Sequence, residues 1–205
     1  MTVITTVGTA ERHLSAERAT LVARVSVSDA DRTTAIAAAT ALHNRLAARA
    51  GELHAAGDAT WHHASTLSTG VHQWVDNDGS LHREHVTTSS VQVKLSNLDR
   101  VADTVEQLSA MGASVHASWA LTEVTRTRVT REIRAAAVSD ARVEADDFAS
   151  ALGTTIARVV TLRAGEAGPG PVGLRSAAMA SGESAEVSIP DITVRVEVTA
   201  EFETS

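Results

Sequence analysis

The sequence of 205 residues contains no cysteine and no tyrosine. The absence of cysteine excludes disulfides, thiol catalysis and thiolate metal sites. Aromatic residues make up only 2% of the chain, and its net charge is −7. Both features oppose nucleic-acid binding, which relies on base stacking and on attraction to phosphate. We therefore expect no nucleic-acid partner.

The chain also lacks a long apolar run. Its first residues, MTVITTVGTAERH, have neither the basic start nor the apolar core of a secretion signal. No stretch is long and apolar enough to predict a membrane-spanning helix. We therefore expect a cytoplasmic protein without a membrane span.

The hydrophobic content of 43% is sufficient for a proper core. A chain of this length buries roughly 70% of its unfolded surface on folding. The sequence therefore predicts a single domain over residues 1–205. Within it, residues 165–184 contain GEAGPGPVG and SGES and show no periodicity, which predicts a flexible loop that proteases should cut first.

The clearest element is a helix over residues 126–152. Its predicted buried stripe is Ile133, Ala137, Ala141, Ala145, Phe148 and Leu152. The alanines should let the helix lie close to a sheet, Phe148 and Leu152 should supply bulk, and Gly153 should end the helix. An earlier helix should follow the S-x-x-D start signal formed by Ser28 and Asp31 and continue to about Leu53.

The order of elements is similar in the two halves of the chain. A strand, an alanine-rich helix and two strands occur first, and the same order is predicted from Ser114 to the end. A short helix over residues 97–111 joins the halves. The predicted fold class is therefore α+β, with an antiparallel sheet, helices on one face, two βαββ-like halves and a long protruding β-hairpin.

The hairpin is predicted from strands over residues 61–75 and 81–95 around the turn Asp76-Asn77-Asp78-Gly79. A tight turn would place Trp74 opposite Leu81 and His72 opposite Arg83. In that register the apolar residues change face along the ribbon. Either a bulge or packing of the distal half on a partner subunit would explain the change.

The distal half of the hairpin contains the predicted interaction residues. These candidates for an oligomer interface are Val71, Trp74 and Val75. The nine histidines also suggest a metal hypothesis, for which His72 and His85 would be diagonal neighbours on one face, with His62 on the same side. No carboxylate is an obvious third ligand, so we expect no metal and no cofactor.

Four segments resemble the SIMPL domain family, also called DUF541. These segments are Val7-Gly8-Thr9-Ala10 with Ser15–Thr20, Asn97-Leu98-Asp99, Arg134–Arg142 with Gly153, and Ile189-Pro190-Asp191. Ala16 and Glu17 depart from the proline and aspartate of the family's opening pattern. The family takes its name from a signalling molecule associated with a pelle-like kinase and includes many bacterial envelope proteins. The resemblance implies an α+β fold and brings no catalytic residues.

Two functions from different classes fit these observations. The first is a non-enzymatic SIMPL-like protein that assembles with itself or binds a protein partner. The second is a metal- or small-molecule-dependent enzyme that uses the histidine-rich hairpin. The sequence contains no phosphate loop, nucleophile elbow or H-E-x-x-H motif, so we favour the first function.

Overall fold

The computed structural model describes residues 2–165 and 188–205, which form two compact units. The terminal unit contains residues 2–16, 121–165 and 190–205, and the central unit contains residues 17–120 and 188–189. Both units combine antiparallel strands with helices, which confirms the predicted α+β class. None of the described helices combines the length and apolar character that crossing a bilayer requires.

The strands in chain order are β1 (Val3–Ser15), β2 (Arg18–Asp29), β3 (Ala59–Ala64), β4 (Ser68–Val75), β5 (Leu81–Leu95), β6 (Ser114–Ala120), β7 (Ile156–Ala164) and β8 (Asp191–Thr204). The helices are α1 (Arg32–Ala55), α2 (Val101–Ala110) and α3 (Glu123–Ala151), and a 3-10 turn at Leu98–Arg100 precedes α2. The flexible loop predicted over residues 165–184 lies outside the described residues, except for Gly165.

The central unit is built on an antiparallel sheet in the order β3-β5-β2-β6, and β4 pairs with the distal half of β5. Alternate residues of β2 and β5 are buried, as expected for a sheet with one covered face. Both helices of the unit contribute to the core on that face. This core includes Leu21, Val25, Leu46, Leu53, Leu95, Val101 and Leu108. The prediction of helices on one face of an antiparallel sheet is confirmed within this unit.

The start of α1 differs from the prediction by one turn. Asp31, and not Ser28, is the N-cap, because its carboxylate accepts hydrogen bonds from the Thr34 backbone N–H at 2.8 Å and from the Thr34 hydroxyl at 2.9 Å. Ser28 still belongs to β2. The S-x-x-D spacing therefore marked the right region but the wrong capping residue.

The terminal unit is a three-stranded antiparallel sheet in the order β1-β8-β7, covered by α3. This helix packs on β1 and β8 and hardly touches β7. Its buried stripe is Val129, Ile133, Ala137, Ala141, Ala145 and Ala149. Each step is four residues, so the stripe moves about 40° around the helix per step. Such a winding stripe can follow the twist of the sheet below it.

Two residues of the predicted stripe lie outside it. Phe148 is 50% exposed and Leu152 is 63% exposed, so the prediction that they supply core bulk is wrong. They follow Ala145 and Ala149 by three residues and therefore lie on the flank of the buried stripe. That flank is not covered because α3 lies over β1 and β8. The predicted stop at Gly153 is confirmed by its φ of 72°.

The two predicted halves exist as two units, but they differ in their strands. The strand that precedes α3, β6, pairs with β2 in the central unit, whereas β1 pairs with β8 along its whole length. The single predicted sheet is therefore two sheets. Strand periodicity identifies the buried face of a strand, but it does not identify the partner, which depends on contacts distant in sequence.

Candidate protein-interaction surface

The most exposed apolar region of the central unit is the far end of the long hairpin. We call residues 69–75 of β4 and 81–87 of β5, with the turn between them, the distal hairpin. In the turn, the Asp76 N–H donates to the Ser80 carbonyl at 2.9 Å, and Gly79 has a φ of 84°. This is a three-residue loop, for which glycine at the left-handed position is usual.

The loop length changes the register by one residue. Trp74 lies opposite His82 and Val75 opposite Leu81, so the predicted pairs of Trp74 with Leu81 and His72 with Arg83 are wrong. The three-residue loop is the physical reason, because it adds one residue to the connection. A shift of one residue changes which side chains share a face.

A bulge between β3 and β4 also affects the faces of the ribbon. Ala64 lies opposite Val91 and Ser68 opposite Thr88, so residues 65–67 face only residues 89 and 90. The Ser65 N–H donates to the Ser90 carbonyl at 2.9 Å, and the Ser65 hydroxyl accepts from the Ser90 N–H at 2.8 Å. Of the two explanations left open by the sequence, the structure contains the bulge.

One face of the distal hairpin carries three exposed aliphatic side chains among polar ones, which are Gln73, Arg83 and His85. With the observed register, Val71, Val75 and Leu81 lie on the same face of the ribbon as the buried Val91 and Val93. The extra residue of the bulge brings Val71 and Val75 onto the face of Val91 and Val93, so the predicted change of face for these two valines is wrong. Val75 is nevertheless 64% exposed and Leu81 is 69% exposed.

These residues are exposed because the covering elements do not extend so far. The last pair between β2 and β5 is Asp29 with His85, and α1 begins at Arg32. Beyond this point the ribbon has no neighbour on β5 within the described part of the chain. The predicted exposure of Val71 and Val75, beyond the helices of the central unit, is confirmed.

The opposite face of the distal hairpin has an aromatic stack. The Trp74 ring lies between the imidazoles of His72, at 5.3 Å between ring centroids, and His82, at 5.2 Å. His82 Nε2 also lies 3.5 Å from the Asp76 carboxylate. Trp74 is therefore held in place within the hairpin while part of its ring remains exposed.

The structure separates the three histidines of the metal hypothesis. His72 lies opposite Glu84 and His85 lies opposite Val71, so these two histidines are on opposite faces. His62 lies opposite Val93, and its ring is 5.4 Å from that of His54. No group of three histidine, aspartate or glutamate side chains suitable for a metal ion occurs among residues 2–165 and 188–205.

The outer edge of β4 has free backbone groups. Opposite residues in an antiparallel ladder alternate between hydrogen-bonded and non-bonded pairs. Because Asp76 bonds to Ser80, the alternation directs the N–H and C=O groups of Val71, Gln73 and Val75 away from β5. In the described part of the chain, β4 pairs with β5 alone.

Hydrogen bonds from Ser80 fix the turn. The Asp78 carboxylate accepts from the Ser80 backbone N–H at 2.8 Å. This bond, and to a smaller extent a hydrogen bond from the Ser80 side chain, lowers the pKa of Asp78 below its usual value. The carboxylate therefore stays charged at neutral pH and stabilises the loop that sets the register.

A second surface feature lies on α3. It is a depression of about 530 Å³, lined by Glu123, Val124, Thr127, Arg128, Arg131 and Glu132. All six residues belong to one helix. A surface formed by one helix does not enclose a small molecule, unlike the clefts in which ligands usually bind.

The sequence was compared with models of known protein families. Residues 4–202 match the model of the SIMPL family, which is described as a protein of unknown function (DUF541). The chain belongs to the SIMPL family. The match covers both the terminal and the central unit. No curated protein matches this SIMPL chain.

The motifs that suggested the SIMPL family have structural roles. The segment Val7–Ala10 lies in β1 and packs on the Arg134–Arg142 segment of α3. Asn97 accepts a hydrogen bond from the N–H of Arg100 at the start of the turn before α2. These contacts position elements of the fold, as the resemblance implied.

The sequence indicated Val71, Trp74 and Val75 but missed Leu81 and the free edge of β4. Leu81 begins β5 directly opposite Val75. If Gly79 had been taken as the left-handed residue of a three-residue loop, the sequence would have predicted the pair of Val75 with Leu81. The free edge of β4 was harder to predict, because the sequence indicates it only by the absence of proline and of acidic or basic residues other than histidine from STGVHQWV.

Proposed function

We propose that this SIMPL chain is a non-enzymatic protein that self-associates through its distal hairpin. The observation that carries the proposal is the exposed, uncharged outer edge of β4. Edge strands usually carry lysine, proline or other protection against pairing with further chains, and β4 has neither charge nor proline. Such an edge favours addition of another strand.

A second copy of this chain is the best-fitting partner, because β4 is self-complementary about Gln73. An antiparallel pair of β4 strands centred on Gln73 would place Val71 of each copy opposite Val75 of the other. These three residues direct their backbone groups outwards, so they would form the hydrogen-bonded pairs of the new ladder. A two-fold axis through this pair would close the assembly as a dimer.

The side chains support the same pairing. On one face, the pairs of Val71 with Val75 would lie beside the two copies of Leu81 and remove exposed apolar surface from water. Between these valine pairs, the Gln73 pair would be flanked by the two copies of Arg83. On the other face, His72 of one copy would lie opposite Trp74 of the other, next to stacks that already exist in each hairpin. Cross-strand pairs of this kind stabilise a ladder by roughly 0.2–1 kcal/mol each.

No observation favours the alternative of a histidine-dependent enzyme. That hypothesis required His72 and His85 on one face, and the register separates them. His82 is instead beside Asp76, and His62 beside His54. The hairpin histidines therefore support the aromatic stack and local contacts.

Light scattering combined with size-exclusion chromatography tests this proposal. At micromolar concentration and physiological salt, we expect a mass of twice the 21.4 kDa chain. The mass should decrease towards 21.4 kDa on dilution, as mass action requires. A strict monomer under these conditions would contradict the proposal.

A further inference from the structure

The sheet of the central unit has a second face, opposite the one that packs on α1 and α2. The registers of β2, β3, β5 and β6 place alternate residues on it. We call the part of this face where the four strands lie side by side the open face, and its residues are Thr20, Val22, Arg24, Trp61, His63, Ser90, Gln92, Lys94, Ser114, His116 and Ser118. They form rows across the strands, such as Trp61, Lys94, Thr20 and Ser118.

The charge of the open face is opposite to that of the chain. Its cationic side chains are Lys94, the single lysine of the sequence, and Arg24, and it also contains the imidazoles of His63 and His116. None of these eleven residues is aspartate or glutamate, although the chain has 25 acidic residues and a net charge of −7. Further along β5, the first acidic residue on the same face is Glu84. The open face is therefore a local cationic surface on an acidic protein.

The open face also presents an aromatic ring at its edge. Trp61 is 43% exposed. Its ring stacks on that of His63 at 5.9 Å between centroids, and Lys94 Nζ lies 5.8 Å from the Trp61 centroid. The ammonium group over the indole is a cation–π contact. This contact keeps a positive charge beside an exposed apolar ring.

The remaining residues of the open face are mostly hydrogen-bonding groups. Ser90, Gln92, Ser114 and Ser118 supply hydroxyl and amide groups, and Val22 is the single aliphatic residue. The cores of protein interfaces are depleted in charge and rich in apolar side chains. The composition of the open face therefore differs from that of a protein interface.

The four-stranded part of the face is small. Four strands span about 14 Å, and the step from Ser90 to Lys94 is about 13 Å. The resulting area is roughly 200 Å², compared with about 800 Å² per partner in a stable protein complex. Nucleic acid is also disfavoured, because a single tryptophan provides little stacking surface for successive bases.

We propose that the open face binds an acidic polysaccharide. Such a ligand is anionic, rich in hydroxyl groups and extended, and its sugar rings have apolar faces that can stack on Trp61. Its carboxylates would pair with Lys94 and Arg24, and its hydroxyls with the serine and glutamine side chains.

Calorimetric titration of the full chain with sodium hyaluronate tests the proposal, with uncharged dextran as the control polymer. We expect binding to hyaluronate that weakens with added salt, and much weaker binding to dextran. Equal binding of both polymers would overturn the proposal. Stronger binding of poly-L-glutamate or of oligothymidylate would also overturn it, in favour of an acidic protein segment or a nucleic acid.

Charge variants locate the site. The double variant Lys94→Gln and Arg24→Gln should bind hyaluronate about tenfold more weakly, as expected for two exposed ion pairs. The matched control is Arg32→Gln with Arg45→Gln, which removes the same charge from α1, outside both the open face and the distal hairpin. An equal loss of hyaluronate affinity in both double variants would show a general effect of net charge, and it would contradict binding at the open face.

Two further measurements separate this site from the distal hairpin. Hyaluronate should change the tryptophan fluorescence of the Trp74→Phe variant but have little effect on that of Trp61→Phe. Bound polymer should also slow the reaction of Lys94 with an amine-directed reagent. Both effects should persist in the Gln73→Pro variant, which does not assemble through the hairpin, so the test does not depend on self-association. If the fluorescence change were lost in Trp74→Phe and kept in Trp61→Phe, the assignment to the open face would be overturned.

Discussion

Gly8 lies so close to the backbone of α3 that a Cβ at this position would be 1.9 Å from the Ala137 carbonyl oxygen. The same Cβ would be 2.4 Å from the Ala141 nitrogen. On either side of Gly8, the buried Thr6 hydroxyl donates to the Ala141 carbonyl at 2.7 Å, and the Thr9 N–H donates to the Asp140 carboxylate at 2.9 Å. The close approach of β1 to α3 therefore requires glycine and alanine at these positions.

Replacing Gly8 with alanine should disrupt the terminal unit. The added methyl would clash with backbone atoms, which cannot move without separating β1 from α3. We expect a loss of about 3 kcal/mol or more in the free energy of unfolding, measured by denaturant titration and circular dichroism.

The matched control for this substitution is Gly70→Ala, also in a strand, because no atom lies within 4 Å of the added Cβ there. Its stability should be unchanged or slightly higher. If both variants were equally stable, the tight contact between β1 and α3 would be contradicted.

Replacing Val71 and Val75 with serine should separate assembly from folding. Because both side chains are exposed in a single copy, each change should alter the stability of the chain by no more than about 0.5 kcal/mol. The mass measured by light scattering should fall to that of one chain while circular dichroism is retained.

Val143→Ser is the control for the valine substitutions, since Val143 is exposed on α3. It should leave the mass of the assembly unchanged. Loss of the fold in the double hairpin variant would instead show that Val71 and Val75 are buried within their own chain.

Replacing Gln73 with proline should prevent edge pairing through the backbone. The Gln73 N–H points away from β5, so its removal costs the hairpin no hydrogen bond. The two-fold pair of β4 strands, however, would lose its central hydrogen bonds. We expect a monomer by light scattering. Gln73→Thr, which keeps the N–H, should remain a dimer, and a dimer in both variants would refute edge pairing.

Replacing Thr104 with valine should stabilise the central unit. Thr104 is buried in α2, and its hydroxyl has no hydrogen-bond partner among the described residues. Valine keeps the shape and removes the buried hydroxyl, so we expect a gain of about 1 kcal/mol. For a chain of this size, the melting temperature should rise by roughly 2–4 °C.

Thr40→Val provides the comparison, because the Thr40 hydroxyl donates to the Ile36 carbonyl at 2.8 Å. This variant should lose about 0.5–1.5 kcal/mol. A loss of stability in Thr104→Val as well would mean that the Thr104 hydroxyl has a partner.

The cap of α1 should make stability depend on pH. Hydrogen bonds from the Thr34 N–H and then from its hydroxyl lower the pKa of Asp31. A lowered pKa in the folded state stabilises the protein above the unfolded pKa, and this stabilisation is lost as the pH falls through the folded value. The Asp31→Asn variant keeps a capping oxygen at every pH.

The stability of the unaltered chain relative to Asp31→Asn should therefore decrease on acidification below about pH 4. Chemical denaturation at a series of pH values measures this difference. Parallel pH profiles for the two chains would show that the charge of Asp31 does not contribute.

The sequence by itself determined the local elements of this protein. The bounds of β5 were predicted as observed, and α2 and α3 end where Gly112 and Gly153 take positive φ values. These features depend on periodicity, capping and glycine conformation, which are properties of neighbouring residues. The SIMPL membership was also accessible, because the family motifs are short local patterns.

Only the tertiary structure decided which elements meet. The pairing of β1 with β8, the bulge after β3 and the exposure of Phe148 depend on contacts between residues far apart in the chain. The candidate site shows the same division: its exposed valines were predicted, but its faces were not. One additional residue in the turn moves His72 and His85 to opposite faces, because side chains alternate along a strand.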